Sequence, residues 1–423
     1  MIVIISIIIF FVGYILISME QITKVSKTSV SLLLGVSLWV LALFTHQGHA
    51  AVALSESAID IFGLIVFLLS AMTLVEILTH YGLFDVLYER LLRLRIHDRA
   101  QFWILTVLAF IFSSFLDNLT TTIIFIQIAS RFFKGPNLMR TGVAIVIAAN
   151  AGGAFSPIGD VTTTMLWLAQ KFNAFEVFSQ VFLPSLSVLL ISNLWIGKSM
   201  TQNTKDITDN RSIITKSEWI IIALCLLSFT FPLVMTTFHL PPYFGLLLGL
   251  GLVWLAVDTF RIRNIRSTKL AMSIEKFFQK TDIASLYFFI GILIAIGALR
   301  YLGVLDSLSS IIFGLSPSHI RIVIGNITIG GLSAVFDNIP LTAVAIDIVK
   351  TDITAFWTLL AYTVGVGGSL FVIGSAPGII AMTLLKDLTF GMYIRIGTLP
   401  VLVGYIVGIF VWYAQFYLYG GRL

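Results

Sequence analysis

The chain has 423 residues, of which 58% are hydrophobic and 11% are charged, and its formal net charge is +5. Soluble domains carry about 25% charged residues, so this composition excludes a soluble enzyme, a disordered chain and a nucleic-acid-binding protein. In a membrane protein, a cationic excess instead marks cytoplasmic loops that lie near anionic lipid. The single cysteine, Cys225, excludes a disulfide framework and a zinc cluster. The composition therefore predicts an all-α polytopic membrane protein in contact with lipid.

Apolar segments long enough to cross a membrane follow one another along the chain. A spanning helix needs about 20 apolar residues. The segments cover 1–18, 29–45, 59–79, 101–134, 141–170, 176–197, 219–238, 241–257, 281–302, 319–349, 355–383 and 390–415. Segments 101–134 and 319–349 are too long for one span and are predicted to be re-entrant hairpins. Segments 141–170 and 355–383 contain glycine and proline and are predicted to be broken transmembrane helices. The first segment lacks a basic region ahead of it, which favours a retained helix over a signal peptide.

The basic residues orient these segments, because cytoplasmic loops are enriched in lysine and arginine. If each hairpin returns to the side of the membrane from which it entered, 21 of the 26 Lys and Arg residues lie on the cytoplasmic face. The polar stretch 45–58 contains no Lys or Arg and is predicted to be an external loop. If these two segments crossed the membrane completely, the chain would change sides after each one, and the basic residues would no longer collect on one face. We therefore expect both termini to be external, in a membrane of the bacterial inner (plasma) membrane type.

The two halves of the chain carry the same motif at the same spacing. An intramembrane Asp-Asn pair follows Asp85 by 32 residues at Asp117, and follows Asp306 by 31 residues at Asp337. The helices that precede these motifs run in opposite directions in the predicted topology, so the repeats are inverted. The predicted organisation is N-terminal helices in 1–58, a first repeat in 59–197, cytoplasmic loops and connecting helices in 198–280, and a second repeat in 281–423. Inverted repeats with broken helices are typical of secondary transporters.

Carboxylates placed deep in apolar segments are costly and usually functional. Those in this chain are Glu76, Asp117, Asp160 and Asp337. Asp117 and Asp337 lie at the hairpin tips, each followed by an asparagine (Asn118 and Asn338) and by hydroxyl residues. Oxygen donors of this kind suit a hard cation such as sodium. The alternative is that each aspartate simply caps a helix at the tip.

The first predicted break runs from Asn150 to Asp160 and contains two adjacent glycines and a proline, which disfavour a continuous helix. Unwound backbone exposes carbonyl groups that can coordinate a cation. Asp160 follows the break, where it could bind an ion or cap the next helix. The second break has Ser375 at the equivalent position, which predicts an asymmetric site with its charge in the first repeat.

Glu76 and His80 are spaced i, i+4 and share one helix face. They are either a simple polar pair or a proton path and pH sensor, since histidine titrates near neutrality. Arg300 is predicted to be an interfacial anchor whose charged end reaches toward water.

Four motifs closely resemble the NhaD-type sodium/proton antiporters of the ion transporter superfamily: Ser113 to Ile123, Ala148 to Trp167, Phe336 to Ala343 and Gly365 to Gly378. The resemblance implies electrogenic exchange of Na+ or Li+ for protons, and it implies a homodimer by analogy with superfamily relatives. It also implies required residues at Asp117, Asn118, Asn150, Asp160, Thr162 and Thr163, with polar matches at Asn338 and Ser369 and a family histidine position at His80. Pro377 departs from the family pattern.

We expect sodium and protons to compete for buried carboxylates, since burial favours the protonated form and sodium needs the ionised one. Asp117 and Asp160 are the predicted Na+ ligands, and Asp337 is considered for a second proton. No cofactor and no nucleic-acid partner are expected. One rival is an anion carrier of the same superfamily, which would use helix N-termini. The other is an intramembrane aspartyl protease, but Pro157 and the missing Tyr-Asp dipeptide argue against it, so no enzyme is predicted.

Overall fold

The computed structural model describes residues 2–44, 50–94, 96–201, 214–263, 274–314, 318–418 and 420–421. Within these ranges all regular secondary structure is helical. Six helical stretches of the described residues, two of which combine consecutive shorter helices (Lys216–Thr237 and Phe390–Leu418), are long and apolar enough to cross a membrane by length and composition. The prediction of an all-α polytopic membrane protein is confirmed.

The helices of the first half precede the connecting segment. They are α1 (Ile2–Ser18), α2 (Glu20–Thr23), α3 (Lys27–Leu43), α4 (Ala50–His80), α5 (Leu83–Arg93), α6 (Asp98–Ser113), α7 (Asn118–Phe132), α8 (Gly135–Ala154), α9 (Val161–Leu168) and α10 (Ala174–Gly197). The connecting segment contributes α11 (Lys216–Ser228), α12 (Phe231–Thr237), α13 (Pro242–Arg263) and α14 (Ile274–Phe278).

The second half begins with α15 (Ile283–Tyr301). It continues with α16 (Val304–Ile312), α17 (His319–Leu332), α18 (Asn338–Ile348), α19 (Thr354–Gly367), a 3₁₀ turn (Val372–Gly374), α20 (Ala376–Leu384), α21 (Phe390–Tyr393), a π-helical turn (Ile394–Thr398) and α22 (Leu399–Leu418). Helix α3 packs along α15, α4 packs against α15, and α10 packs along α22.

The predicted external loop at 45–58 needs correction. Residues 50–58 form the start of α4, so the predicted loop is wrong there, and 45–49 lie outside the described residues. This stretch is rich in alanine, which has the highest helix propensity, although its two serines and Glu56 give it a partly polar composition. The predicted segment 219–238 agrees with the candidate membrane span Lys216–Thr237, in which Pro232 lies in the first turn of α12, where proline is tolerated. The predicted linker and basic stretch of the connecting segment lie partly outside the described residues, at 202–213 and 264–273.

Each predicted hairpin consists of two short helices joined by a tight turn. Helices α6 and α7 have 16 and 15 residues, and α17 and α18 have 14 and 11. At 1.5 Å per residue, a helix of about 16 residues is about 24 Å long, which is less than the hydrocarbon thickness of about 30 Å. The re-entrant arrangement of these helices stays a prediction.

Each broken helix is attached to its own hairpin by the same contact. The Ser113 hydroxyl, at the end of α6, donates a hydrogen bond to the Ala149 carbonyl of α8 at 2.6 Å. The Ser333 hydroxyl, just after α17, donates to the Val364 carbonyl of α19 at 2.8 Å. The two halves therefore repeat the same hydrogen bond between a serine of the hairpin and a backbone carbonyl of the broken helix.

The same serines explain two of the glycines. A Cβ atom on Gly159 would overlap the Ser113 carbonyl oxygen, and one on Gly374 would overlap the Ser333 carbonyl oxygen. Both glycines lie directly before the residue that caps the next helix. Close backbone packing at these points positions the caps of α9 and α20.

The junctions ahead of the hairpins are repeated as well. Gly82 and Gly303 adopt left-handed conformations, with φ of 84° and 71°, at the entrances to α5 and α16. A residue without a Cβ adopts this conformation at little cost, so the chain can turn sharply after α4 and after α15.

Candidate functional site

The capping residues of four short helices line one cavity of about 70 Å³. Asp117, Asp160 and Asp337 are the N-caps of α7, α9 and α18, and Ser375 is the N-cap of α20. Aspartate is favoured at this position because its oxygens accept the free backbone N–H groups of the first turn. Capping and ion binding are therefore compatible, and the fold brings the three predicted aspartates to one place.

Asp117 has one oxygen in use and one without a partner. Its Oδ1 accepts a hydrogen bond from the Thr120 backbone N–H at 2.9 Å. Its Oδ2 is buried and has no hydrogen-bond partner within the described part of the chain. Leaving a buried carboxylate oxygen unsatisfied is costly, so this oxygen is suited to take a proton or a cation.

Asp160 is 3% exposed and is held by the first turn of α9. The Thr162 hydroxyl donates to Asp160 Oδ2 at 2.8 Å, and the Thr162 backbone N–H donates to Oδ1 at 3.4 Å. The Thr163 hydroxyl instead donates to the Ala154 carbonyl at 3.3 Å. Thr162 therefore contacts the carboxylate, while Thr163 joins the two sides of the break.

Asn150 joins the two halves of the protein through its side-chain amide. Its oxygen accepts a hydrogen bond from Asn118 Nδ2 at 3.1 Å. Its nitrogen donates to the hydroxyls of Ser369 and Ser375 at 2.8 and 2.9 Å. All four residues are buried, so this network links the first hairpin and first break to the second break. Ser375 is a site residue that the sequence identified only by its position in the repeat.

The second hairpin contributes Asp337 and Asn338. Asp337 Oδ1 accepts the Ile339 backbone N–H at 3.2 Å, and the Asn338 oxygen accepts the hydroxyl of Ser333. Asp337 Oδ2 lies 3.8 Å from the ammonium of Lys27, at the start of α3.

Lys27 also lines the cavity, and sequence reasoning missed it as a site residue. It precedes both repeats, so motif spacing gives no sign of its position. The available signal is a basic residue at the start of an apolar helix, and this served only to orient the chain.

Glu76 and His80 lie farther along α4 than the cavity. The described lining includes Met72 of α4, whereas Glu76 follows one helical turn later and His80 two turns later. The His80 ring packs against the rings of Tyr81 and Phe277, with centroids 5.1 Å apart in each case. Their role in a proton path stays a prediction.

Among the described residues, no group of three or more His, Cys, Asp or Glu side chains is arranged to hold a metal ion. The lining of the smaller cavity also offers neutral oxygens beside its aspartates. Hydroxyl, amide and backbone carbonyl groups of the hairpin tips and breaks supply such oxygens.

A second, larger cavity of about 490 Å³ lies elsewhere along the same helices. Its polar lining includes Asp60, Lys171, Arg300 and Asp347. The Arg300 Nε lies 2.8 Å from Asp347 Oδ1, so Arg300 forms an ion pair across this cavity rather than acting only as an interfacial anchor. Asp347 is a further embedded carboxylate that the sequence analysis did not select.

The two cavities contact the same helices at opposite ends. Ser285, near the start of α15, lines the smaller cavity, and Arg300, near its end, lines the larger one. On α4 the linings approach within one helical turn, at Leu68 and Leu64. The two linings therefore follow one another along α4 and α15.

The CitMHS family, described as citrate transporter, matches residues 14–365. The chain belongs to this family. It is also 31% identical over 421 residues to sodium/proton antiporter 2 of Arabidopsis thaliana, covering 96% of this chain and 98% of that protein. It is 30% identical over 437 residues to the Na(+)/H(+) antiporter NhaD of Vibrio cholerae, covering 96% and 90% of the two chains. NhaD of Alkalimonas amylolytica is 31% identical, with 95% and 88% covered. The resemblance to the NhaD-type antiporter family is confirmed.

Proposed function

We propose that this protein is a secondary antiporter that exchanges Na+ or Li+ for protons, and that the ions bind in the smaller cavity. The observation that carries the proposal is the meeting of three aspartate N-caps, one of them with an unpartnered buried oxygen. The names of the relatives support sodium and protons as the exchanged ions. The protein acts by binding and release, without enzymatic chemistry.

Exchange follows from competition for the same oxygens. A sodium ion needs ionised Asp117 and Asp160, whereas a proton on either carboxylate removes the charge that attracts sodium. Thr162 holds Asp160 through its hydroxyl, while the hydrogen bond between Asn118 and Asn150 holds the first turn of α7 against α8. If the loaded site moves only when its carboxylates are neutralised, each direction of transport requires an ion and uncoupled leak is suppressed.

Thr163, Ser369 and Asn338 are assigned a supporting role. The Thr163 hydroxyl holds α9 against the end of α8, and Ser369 accepts from Asn150. Asn338, at the start of α18, accepts the hydroxyl of Ser333, just after α17, and so joins the two helices of the second hairpin. They position the breaks around the ion while the aspartates carry the charge.

An anion carrier is the second candidate, because the family description is citrate transporter and four helix N-termini meet at the cavity. A helix N-terminus carries roughly half a positive charge and can bind an anion. Three of these four N-termini end in aspartate, however, and a full negative charge on each outweighs the partial charge of its helix. The cavity therefore favours a cation.

We further propose that the smaller cavity opens to the cytoplasm and the larger one to the outside. Lys27 and the start of α15 line the smaller cavity, and both belong to the face that the basic residues assign to the cytoplasm. This orientation puts both termini outside, in a membrane of the bacterial inner membrane type. By analogy with superfamily relatives, we propose a homodimer.

Transport by purified protein in liposomes tests the function. With an acidic interior, we expect uptake of radioactive sodium, inhibition by lithium and no uptake of radioactive citrate. Citrate uptake without sodium uptake would overturn the proposal in favour of the anion carrier.

Accessibility tests the two-sided arrangement. Cys225 is buried, so a Cys225→Ala chain is a suitable background for single cysteines. We expect a membrane-impermeant maleimide to label Ser285→Cys from the cytoplasmic side and Asp60→Cys from the outside. Labelling of both positions from the same side would contradict the arrangement.

A further inference from the structure

Lys27 places an ammonium group among the carboxylates of the smaller cavity. Its ammonium lies 3.8 Å from Asp337 Oδ2 and 4.5 Å from the centroid of the Phe288 ring. The side chains of Lys27 and Asp337 are each 25% exposed, and Asp117 and Asp160 line the same cavity. This lysine is therefore a component of the site and not only a surface charge.

The backbone around Lys27 is fixed from two directions. Glu20 accepts the Lys27 backbone N–H at 2.9 Å, and the next residue, Thr28, donates its hydroxyl to the Ala284 carbonyl at 3.0 Å. The start of α3 is thereby attached to the start of α15, which forms one wall of the cavity. The lysine side chain is thus anchored within reach of Asp337.

The other carboxylates near this end of the protein have local partners. Glu20 is bonded to the Lys27 backbone, and Asp282 accepts the backbone N–H and the hydroxyl of Ser285 at 3.1 and 2.5 Å. Asp337 is therefore the carboxylate on which the Lys27 ammonium acts, with Asp117 and Asp160 as its neighbours in the cavity.

We infer that Lys27 is a tethered cation that competes with the transported cation for Asp337 and so sets the sodium affinity of the site. The inference rests on the proposed function. An ammonium and a sodium ion neutralise the same carboxylate charge, and each repels the other. Sodium therefore binds more weakly while Lys27 is at Asp337, and the returning ammonium assists its release.

The first test compares Lys27→Gln, Lys27→Arg and Lys24→Gln in purified protein at one alkaline pH. Lys24 is exposed and lies three residues away, so it is a matched control for surface charge. In Lys27→Gln we expect the dissociation constant for radioactive sodium to fall about 10-fold, the scale measured for charge-assisted contacts, with slower turnover. Lys27→Arg should retain wild-type affinity. A Lys27→Gln protein with the affinity of Lys24→Gln would overturn the inference.

The second test removes Asp337, which leaves the ammonium free to approach Asp117 and Asp160. We expect Asp337→Asn to weaken sodium binding about 10-fold and Lys27→Gln to reverse most of that loss in the double variant. Additive effects of the two substitutions would contradict competition. If Asp337→Asn does not fold, the Lys27 single variants decide.

The two proposals fail separately. Sodium/proton exchange by the wild type, combined with silent Lys27 variants, would leave the antiporter proposal intact and refute the role of Lys27. Absence of exchange by the wild type would refute the antiporter, whereas the sodium-binding comparison would still decide whether Lys27 competes.

Discussion

The first and second halves of the protein share a backbone scheme but differ in the chemistry at their breaks. In both, a serine of the hairpin holds the break, a glycine packs against that serine, and an aspartate caps the second hairpin helix. At the break itself, the first half has Asn150 and Asp160 where the second has Gly365 and Ser375. The repeated backbone thus presents four helix N-termini to one cavity, while the side chains at the breaks differ between the halves.

The difference assigns separate roles to the halves. The first half supplies two carboxylates, and the second supplies hydroxyls that hold Asn150. The described carboxylate that the second half adds to the cavity, Asp337, faces the ammonium of Lys27. We therefore expect the first half to dominate ion exchange and the second half to dominate geometry and affinity.

The largest expected effect is the loss of a carboxylate from the first half. Asp117→Asn and Asp160→Asn should each lower sodium-dependent proton flux in liposomes by about 100-fold, because an amide cannot carry the exchanged charge. Asp306→Asn, which removes an exposed carboxylate paired with Lys350, is the matched control and should keep wild-type flux. Full flux in both first-half variants would remove the basis for the assigned roles.

Moving the carboxylate from position 160 to position 375 tests whether the two breaks are equivalent. Asp160→Ser should abolish exchange, and adding Ser375→Asp should restore part of it, with an apparent KM for sodium about 10-fold above wild type. Residues 160 and 375 cap equivalent helices at the same cavity, so the transplanted carboxylate still reaches the ion. No recovery, in a protein that elutes as a folded species, would mean that the two breaks are not interchangeable.

The shared backbone scheme predicts equal sensitivity at its two glycines. Gly159→Ala and Gly374→Ala should each lower the thermal unfolding midpoint by about 5 °C, since the new methyl group meets a carbonyl oxygen. Gly331→Ala is the control, because a Cβ there has nothing within 4 Å among the described atoms. Destabilisation confined to one break would show that the halves do not share this packing.

The smallest expected effect is at the hydroxyls of the second half. Ser369→Ala should change the apparent KM for sodium by about 3-fold or less, because Asn150 keeps the Ser375 hydroxyl as an acceptor. The double variant Ser369→Ala/Ser375→Ala leaves that amide without either acceptor and should have a larger effect. Equal effects of the single and double variants would contradict the shared role of the two serines.

The sequence predicted the features that local chemistry determines. The helix is interrupted between α8 and α9 around Pro157, as its low helix propensity predicts, but the break starts later than predicted, because Gly152 and Gly153 lie in the last turn of α8. The aspartates at 117 and 337 stood out because charge in an apolar segment is rare.

Contacts between distant segments could not be predicted. Lys27 and Asp337 lie 310 positions apart, and Arg300 pairs with Asp347 across a cavity that no motif indicates. The polar composition of residues 50–58 favoured a loop, although their helix propensity determined the outcome. Pairing between helices depends on packing of the whole bundle, which spacing along the chain does not encode.

The central claim is coupled exchange at the cavity capped by the three aspartates, and a sodium gradient tests it most directly. Liposomes containing wild-type protein are loaded with sodium at equal internal and external pH and diluted into sodium-free buffer, while a trapped dye reports the internal pH. The account predicts rapid internal acidification in the wild type and none in Asp160→Asn. Sodium efflux from wild-type liposomes without acidification, or equal acidification in Asp160→Asn, would contradict it.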